Sequence, residues 1–401
     1  MKILWVKSDF LHPTNRGGQI RTLEMLRRLH ARHEVHYVAF DNPAQPEGLA
    51  RATEYCSFAY PVKHEVPPHR SLAFVAQLAS NVVSSMPLAL SRYVSDAMRR
   101  QIDELITAHQ FDSIVCDFIF PAPNFSTLQD CVVFQHNVET VIWRRHAEHA
   151  GDPLRRWFFE LQAERMFRWE QRICTESARV IAVSPADARM FEELFGLRDV
   201  PRVSTGVDTN YFQRPQTSSR VADLVFVGSM DWMPSIDAMK FFTSDVLPLI
   251  RKERPDCTLA IVGRSPSRAI LALAEQDPRI QVTGTVPDVR PYMWGATVSI
   301  VPIRIGGGTR LKIYEAMAAG LPVVSTTVGA EGLDVSDPVN IRLADTPEAF
   351  AAACLNLLND KTERRRQAAA AEELVRTKYS WDHITLQFET MLKEARRTAL
   401  A

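Results

Sequence analysis

Short apolar runs recur along this chain, and amphipathic stretches fill the spaces between them. KILWVK at residues 2–7 reads as a buried strand. A polar loop holding Gly17 and Gly18 follows, then the helix QIRTLEMLRRLHAR and the strand EVHYVAF. FDSIVCDF, CVVFQHN and ARVIAVS are the further apolar runs of the first half. The second half repeats the plan with ADLVFVG, CTLAIVG, IQVTG, ATVSIVPI, LPVVST and VNIRL. Runs this continuous belong to strands buried on both faces, and their alternation with helical stretches predicts parallel sheets covered by helices. The expected fold class is α/β, with two Rossmann-like doubly wound domains.

Thr209 to Arg220, TNYFQRPQTSSR, is polar and without periodicity, and reads as the linker between the halves. The expected organisation is a first domain at 1–208, a linker at 209–220, a second domain at 221–378 and a terminal helix at 379–401. In that last segment Trp381, Ile384, Phe388 and Leu392 recur near helical spacing.

The length of 401 residues suits two domains better than one core. Hydrophobic content of 46% and charged content of 23% are those of a globular protein. The formal net charge is zero, which argues against bulk attraction to nucleic acid. No apolar run approaches the length of a membrane span, and MKILWVKSDF is too short in its apolar part for a signal peptide. The six cysteines are scattered through apolar segments without a CxxC pair, as buried thiols of a reducing compartment would be. A cytoplasmic protein is expected.

The densest chemical signal is IGGGTRLKIYEAMAAGLPVVSTTVGAEG at 305–332. Gly306, Gly307 and Gly308 lead through Thr309 and Arg310 into a helix that starts at Leu311 and ends at Gly320. A glycine run opening a helix frees several backbone N–H groups to point at one spot, and the helix dipole adds partial positive charge there. Arg310 and Lys312 bring full charges to the same end. The ligand this suits is a phosphate or diphosphate. Glu315 lies one turn further in, where a carboxylate accepts two hydroxyls.

EAMAAGLPVV, Glu315 to Val324, resembles the nucleotide-sugar site of the GT-B glycosyltransferases, in particular the large retaining family called family 4. That resemblance implies two Rossmann-like domains facing a cleft, with the terminal helix crossing back to the first. Members carry a Glu, seven residues and a second Glu. Here Gly307 stands in the first place, as in a branch with GxGTRLK. The resemblance therefore assigns ribose binding to Glu315 and leaves the contact to the donor sugar without its usual carboxylate.

Other positions gain meaning within that frame. Gly17 and Gly18, in NRGGQIRTLEML, match the family's first loop, where main chain approaches a diphosphate or an acceptor. His136 ends CVVFQH, where the family places a His next to the reacting sugar. Its ordinary near-neutral pKa also suits proton transfer. VFVGSMDWMPSIDAMKFF resembles the first loop of the second domain, making Gly228 and Ser229 candidate donor contacts. Arg264, in IVGRSP, reaches a phosphate or merely caps a helix. Val286 and Asp288 stand where the family presents main chain to the base. No Asp-x-Asp occurs, and GxGxxG is missing after the first strand, which weakens a dehydrogenase reading. With cationic side chains and a helix N-terminus to neutralise a leaving diphosphate, no metal or other cofactor is expected.

The resemblance thus implies a retaining glycosyltransferase, with a nucleotide-sugar donor and a saccharide or lipid-linked acceptor of bacterial surface polysaccharide synthesis. Arg310 and Lys312 neutralise the departing diphosphate, Glu315 holds the ribose, and His136 faces the reacting centre. No carboxylate nucleophile stands out, which fits front-face attack. Val141 to Ile173 interleaves Arg with Trp and Phe. An ordinary amphipathic helix is the plainer reading there, and weak peripheral attachment to a membrane stays open. Two rivals stay open as well: another GT-B chemistry, such as an epimerase or phosphorylase, and a non-catalytic nucleotide-sugar-binding protein. The oligomeric state is left open.

Overall fold

The computed structural model describes residues 1–14, 17–64, 66, 71–148, 150–305 and 311–399. The chain divides into two compact units. One comprises Met1–Ser204 with Ile384–Ala401, and the other Thr205–His383.

The first unit is built on β1 (Lys2–Val6), β2 (Glu34–Asp41), β3 (Phe58–Lys63), β4 (Ser113–Asp117), β5 (Cys131–Phe134) and β6 (Arg179–Ile181). They form one parallel sheet in the order β3-β2-β1-β4-β5-β6. The apolar runs read from sequence supply every strand but β3. That strand, FAYPVK, is half exposed and carries Pro61. It lies at the edge of the sheet, where a proline is tolerated and apolar density is not required.

The second unit contains β7 (Ala222–Val227), β8 (Leu259–Val262), β9 (Ile280–Val282), β10 (Ala296–Val301), β11 (Val323–Ser325) and β12 (Arg342–Leu343). Each lies within an expected run. The parallel order is β12-β11-β10-β7-β8-β9. Both sheets therefore follow one winding, and both place a topological switch point beside their first strand, between β1 and β4 and between β7 and β10. Ligands of open α/β sheets bind beyond the strand ends at such points.

Residues 209–220 are not a free connector. Thr209–Phe212 form a helical turn capped by Asp208, and Arg214 and Ser218 donate to the Trp294 carbonyl. The segment is packed onto the second unit because its backbone and side chains find partners there. Gly206 lies against Trp381, since a Cβ at 206 would stand 2.7 Å from the indole ring.

The terminal helix, Trp381–Ala399, begins in the second unit and returns to the first. Phe388 is fully buried there, with its ring 5.7 Å from Trp5 and 4.9 Å from Phe134. Glu389 pairs with Arg32 at 2.9 Å. The apolar stripe read from the sequence is thus a stripe facing the first sheet, and Ile384, Phe388 and Leu392 are all buried. All six cysteines are buried thiols. Among the described residues, no helix is long and apolar enough to cross a membrane.

Candidate active site

In the first unit the ends of β1, β4 and β5 converge on a buried charged cluster. Asp117 closes β4 and is fully buried. Its Oδ1 lies 2.7 Å from His136 Nε2. Its Oδ2 accepts from Thr22 Oγ1 at 2.7 Å and from Trp5 Nε1 at 2.9 Å, and pairs with Lys7 Nζ at 3.0 Å. His136 is buried, with its ring between those of Phe118 and Phe134. Arg21 NH1 approaches the other ring nitrogen, Nδ1, at 3.3 Å.

Burial by itself would raise the Asp117 pKa, but Lys7, His136 and Thr22 hold the carboxyl well below the usual carboxylate range. For His136, burial outweighs the attraction of Asp117, and Lys7 and Arg21 add to the lowering. The imidazole is therefore neutral at neutral pH. The sequence suggested a ring poised for proton transfer; its surroundings, two cations and little water, move it away from that range. Arg21 is pushed down to about 10 by burial.

Gly18 meets this cluster directly, because a Cβ there would stand 3.3 Å from His136 Nδ1. Gly17 begins the helix Gly17–His30, and a Cβ at that position would meet open space. Among the described residues of this unit, none requires glycine at 17.

Phe118 turns the chain out of β4 with a left-handed φ of 77°. Such a conformation costs a residue with a side chain on the order of 1–3 kcal/mol, and it commonly marks sites where geometry matters. Its N–H donates to the Phe134 carbonyl at 2.8 Å, fixing the end of β4 to the end of β5, two residues before His136.

In the second unit the loops after β7 and β8 touch main chain to main chain. Gly263 has φ 151°, and a Cβ on it would fall 1.7 Å from the Gly228 carbonyl oxygen. No other residue type permits that approach. Ser229 Oγ accepts from Arg264 Nε at 2.9 Å and donates to Asp231 Oδ1 at 2.7 Å. Lys312, from the helix Leu311–Ala318, reaches the same place. Its Nζ lies 4.5 Å from the centroid of Phe226, a cation–π contact, and only 2.6 Å from where a Gly228 Cβ would stand.

Glu315 sits one turn beyond Lys312, its pKa raised by burial and drawn back by that lysine. The structure thus brings together Gly228, Ser229, Arg264, Lys312 and Glu315. Gly306, Gly307, Gly308, Thr309 and Arg310 lie outside the described residues. Asp288 is gripped by Arg290 at 2.7 Å, and Arg290 stacks 3.8 Å above Tyr211. Its carboxylate is engaged there, and Val286 packs against the core of this unit. Neither is joined to the Gly228–Lys312 group by these contacts.

Sequence reading missed Trp5, Lys7, Arg21, Thr22, Asp117 and Phe226. The usable signal was the charge at the ends of two apolar strands, the Lys of KILWVK and the Asp of FDSIVCDF.

Two six-stranded parallel sheets of one winding, with glycine-lined loops beyond their strand ends, define a GT-B protein. A model described as Glycosyltransferase Family 4 matches residues 15–211, and one described as Glycosyl transferases group 1 matches residues 222–360. The chain belongs to the family 4, group 1 glycosyltransferases, and it is a glycosyltransferase. It is similar to an uncharacterized 44.6 kDa protein in the cps region of Klebsiella pneumoniae, 20% identical over 98% of this chain and 99% of the relative. It is 23% identical to the glycogen synthase of Mycobacterium tuberculosis, over 65% of this chain and 63% of that enzyme. Among solved structures, Anabaena HepE in complex with UDP-glucose superposes with a TM-score of 0.61 at 15% identity, covering 98% of this chain and all of that one.

Proposed function

We propose that this glycosyltransferase moves a sugar from a nucleotide-diphosphate sugar to a saccharide or lipid-linked acceptor, with retention of configuration, in the synthesis of a bacterial surface polysaccharide or glycoconjugate. The observation that carries the reading is the placement of Lys312 over Gly228, with Arg264 bonded to the adjacent Ser229. Two cations converge there on main chain free of side-chain bulk, as a departing diphosphate requires. Arg310 completes the set in this reading, Glu315 accepts the ribose hydroxyls, and the main chain at Val286 and Asp288 reads the base. In the first unit, His136 beside Gly18 is the group that this reading assigns to a sugar hydroxyl.

The surface-polysaccharide assignment draws on the cps-region relative, and the donor class on the UDP-glucose complex of Anabaena HepE. Six buried thiols fit a cytoplasmic location. Leu154 and Trp157 stand exposed at the start of the helix Pro153–Glu176, beside Arg155 and Arg156, and favour weak peripheral attachment. Charge neutralisation by side chains makes the reaction metal-independent in this reading.

The test is a panel of UDP-, GDP-, ADP- and dTDP-sugars, followed by thermal shift and by slow donor hydrolysis, with and without EDTA. One base should stabilise the protein and one donor should turn over, with EDTA making no difference and the released sugar keeping its anomeric configuration in NMR. Loss of turnover in EDTA, restored by Mg²⁺ or Mn²⁺, would overturn metal independence. A changed sugar released without acceptor would make the protein an epimerase, and binding without turnover a non-catalytic binder.

A further inference from the structure

Asp117 is bonded on every side, and each partner is a donor. Oδ1 faces His136 Nε2, and Oδ2 faces Thr22 Oγ1, Trp5 Nε1 and Lys7 Nζ, all between 2.7 and 3.0 Å. An indole N–H and an ammonium can only donate, so this carboxylate is an ionised acceptor. The ring nitrogen that faces it must then carry the hydrogen. On the other side of the ring, Arg21 NH1 stands 3.3 Å from Nδ1. A guanidinium has no acceptor, so Nδ1 must offer a lone pair. The two flanks give the same answer independently: a neutral imidazole with its hydrogen on Nε2. Gly18 keeps side-chain bulk away from Nδ1, since even a Cβ there would come within 3.3 Å of it.

We propose that Asp117 is a positioning residue that locks His136 in the Nε2–H form, so that the single Nδ1 lone pair, offered to Arg21 in this structure, passes to a hydroxyl of the transferred sugar or of the acceptor when that hydroxyl takes Arg21's place. Trp5, Thr22 and Lys7 serve Asp117: they keep it ionised and aligned. Protonation of Nδ1 would set a third cation beside Arg21 and close to Lys7. The ring therefore works as a fixed acceptor that keeps its Nε2 hydrogen and takes up no further proton during the reaction. The left-handed turn at Phe118 belongs to the same device, because it ends β4 at the point where Asp117 meets β5. This inference rests on the reading that His136 faces the reacting sugar.

The experiment is a long-range ¹H–¹⁵N correlation of the histidine rings in the full-length chain between pH 5.5 and 8. His136 is assigned by the signal lost in His136→Gln. The wild type should show a pyrrole-type Nε2 and a pyridine-type Nδ1 that do not titrate across the range. In Asp117→Asn the amide can donate as well as accept, so the ring should populate the other tautomer. Its turnover, with whichever sugar nucleotide the panel identifies, should drop by roughly 10- to 100-fold, as when an outer carboxylate partner of a functional His is removed. Affinity for the nucleoside diphosphate should stay within about two-fold.

Thr22→Val removes one donor without burying a new polar group. It should shift the ring equilibrium and the rate in the same direction by less, which keeps the test available if Asp117→Asn folds poorly. A wild-type ring that is charged at pH 7, or that carries its hydrogen on Nδ1, overturns the proposal. So does Asp117→Asn with an altered tautomer and unchanged turnover. The ring spectrum needs no substrate. A protein inert toward every sugar nucleotide, with the ring in the expected form, therefore overturns the functional reading, and the hydroxyl contact with it, while a wrong ring in an active enzyme overturns only the present inference.

Discussion

The ammonium of Lys312 occupies space that a side chain at residue 228 would need: a Cβ on Gly228 would fall 2.6 Å from its Nζ. The atom displaced is the tip of a flexible side chain, so Gly228→Ala should fold normally and move only the lysine. Gly228→Ala and Lys312→Ala should each raise the barrier to transfer, by about 2–4 kcal/mol for complete loss of such a preorganised charge. They should be non-additive, the double variant being no slower than the worse single one. Additive losses in steady-state kinetics would mean that the two residues act separately.

Glu315→Gln should weaken nucleotide binding more than it slows chemistry. A carboxylate accepting two ribose hydroxyls makes charge-assisted bonds, and an amide of the same shape makes weaker ones, a difference on the order of 1–2 kcal/mol. Calorimetry with the free nucleoside diphosphate measures it. Unchanged affinity would move Glu315 into a structural role.

Glu139 and Glu170 form a buried acidic pair whose stability effect has a definite sign. Glu170 caps the helix Glu139–Glu148, accepting from the N–H groups of Glu139 and Thr140 at 2.9 and 2.8 Å. Burial, then the charge of Glu170, pushes Glu139 up to about 7. The native state therefore holds a proton that the unfolded chain has lost above about pH 4.5, so stability falls as pH rises from that point through 7. Glu139→Gln should be near neutral at pH 5 and stabilise by ~2 kcal/mol at pH 8, read as a higher Tm. An equal Tm difference at both pH values would refute the assignment.

Phe388→Ala should destabilise the first unit by about 3–5 kcal/mol, the usual cost of deleting a buried phenylalanine. The ring is wholly enclosed against Trp5 and Phe134. Urea unfolding followed by tryptophan fluorescence, which Trp5 reports, should show the loss. A change below about 1 kcal/mol would mean that the terminal helix is not an integral part of this unit.

The sequence by itself determined the strands and singled out the second unit's candidate site, because both signals are local. An apolar run buried on two faces announces itself without reference to its neighbours, and ADLVFVG, CTLAIVG and LPVVST each contain a strand of the sheet. The edge strand FAYPVK escaped for the complementary reason: half exposed and carrying a proline, it has no such signature. Gly228, Lys312 and Glu315 could be picked out because a glycine after a strand and charges opening a helix are patterns of a few residues, and the structure sets Lys312 against Gly228. The segment 209–220 looked like a linker because nothing local shows that Arg214 and Ser218 reach the Trp294 carbonyl. Only the tertiary structure decided what His136 is. Its partner Asp117 lies 19 residues away, and Lys7 and Thr22 lie further still along the chain. They meet because a parallel sheet wound in the order β3-β2-β1-β4-β5-β6 sets the ends of β1, β4 and β5 side by side. Strand order is fixed by how helices pack over the sheet, a sum of long-range contacts that no periodicity along the chain encodes. Burial then settles the protonation: the same imidazole that titrates near neutrality in water stays neutral between an ionised carboxylate and two cations.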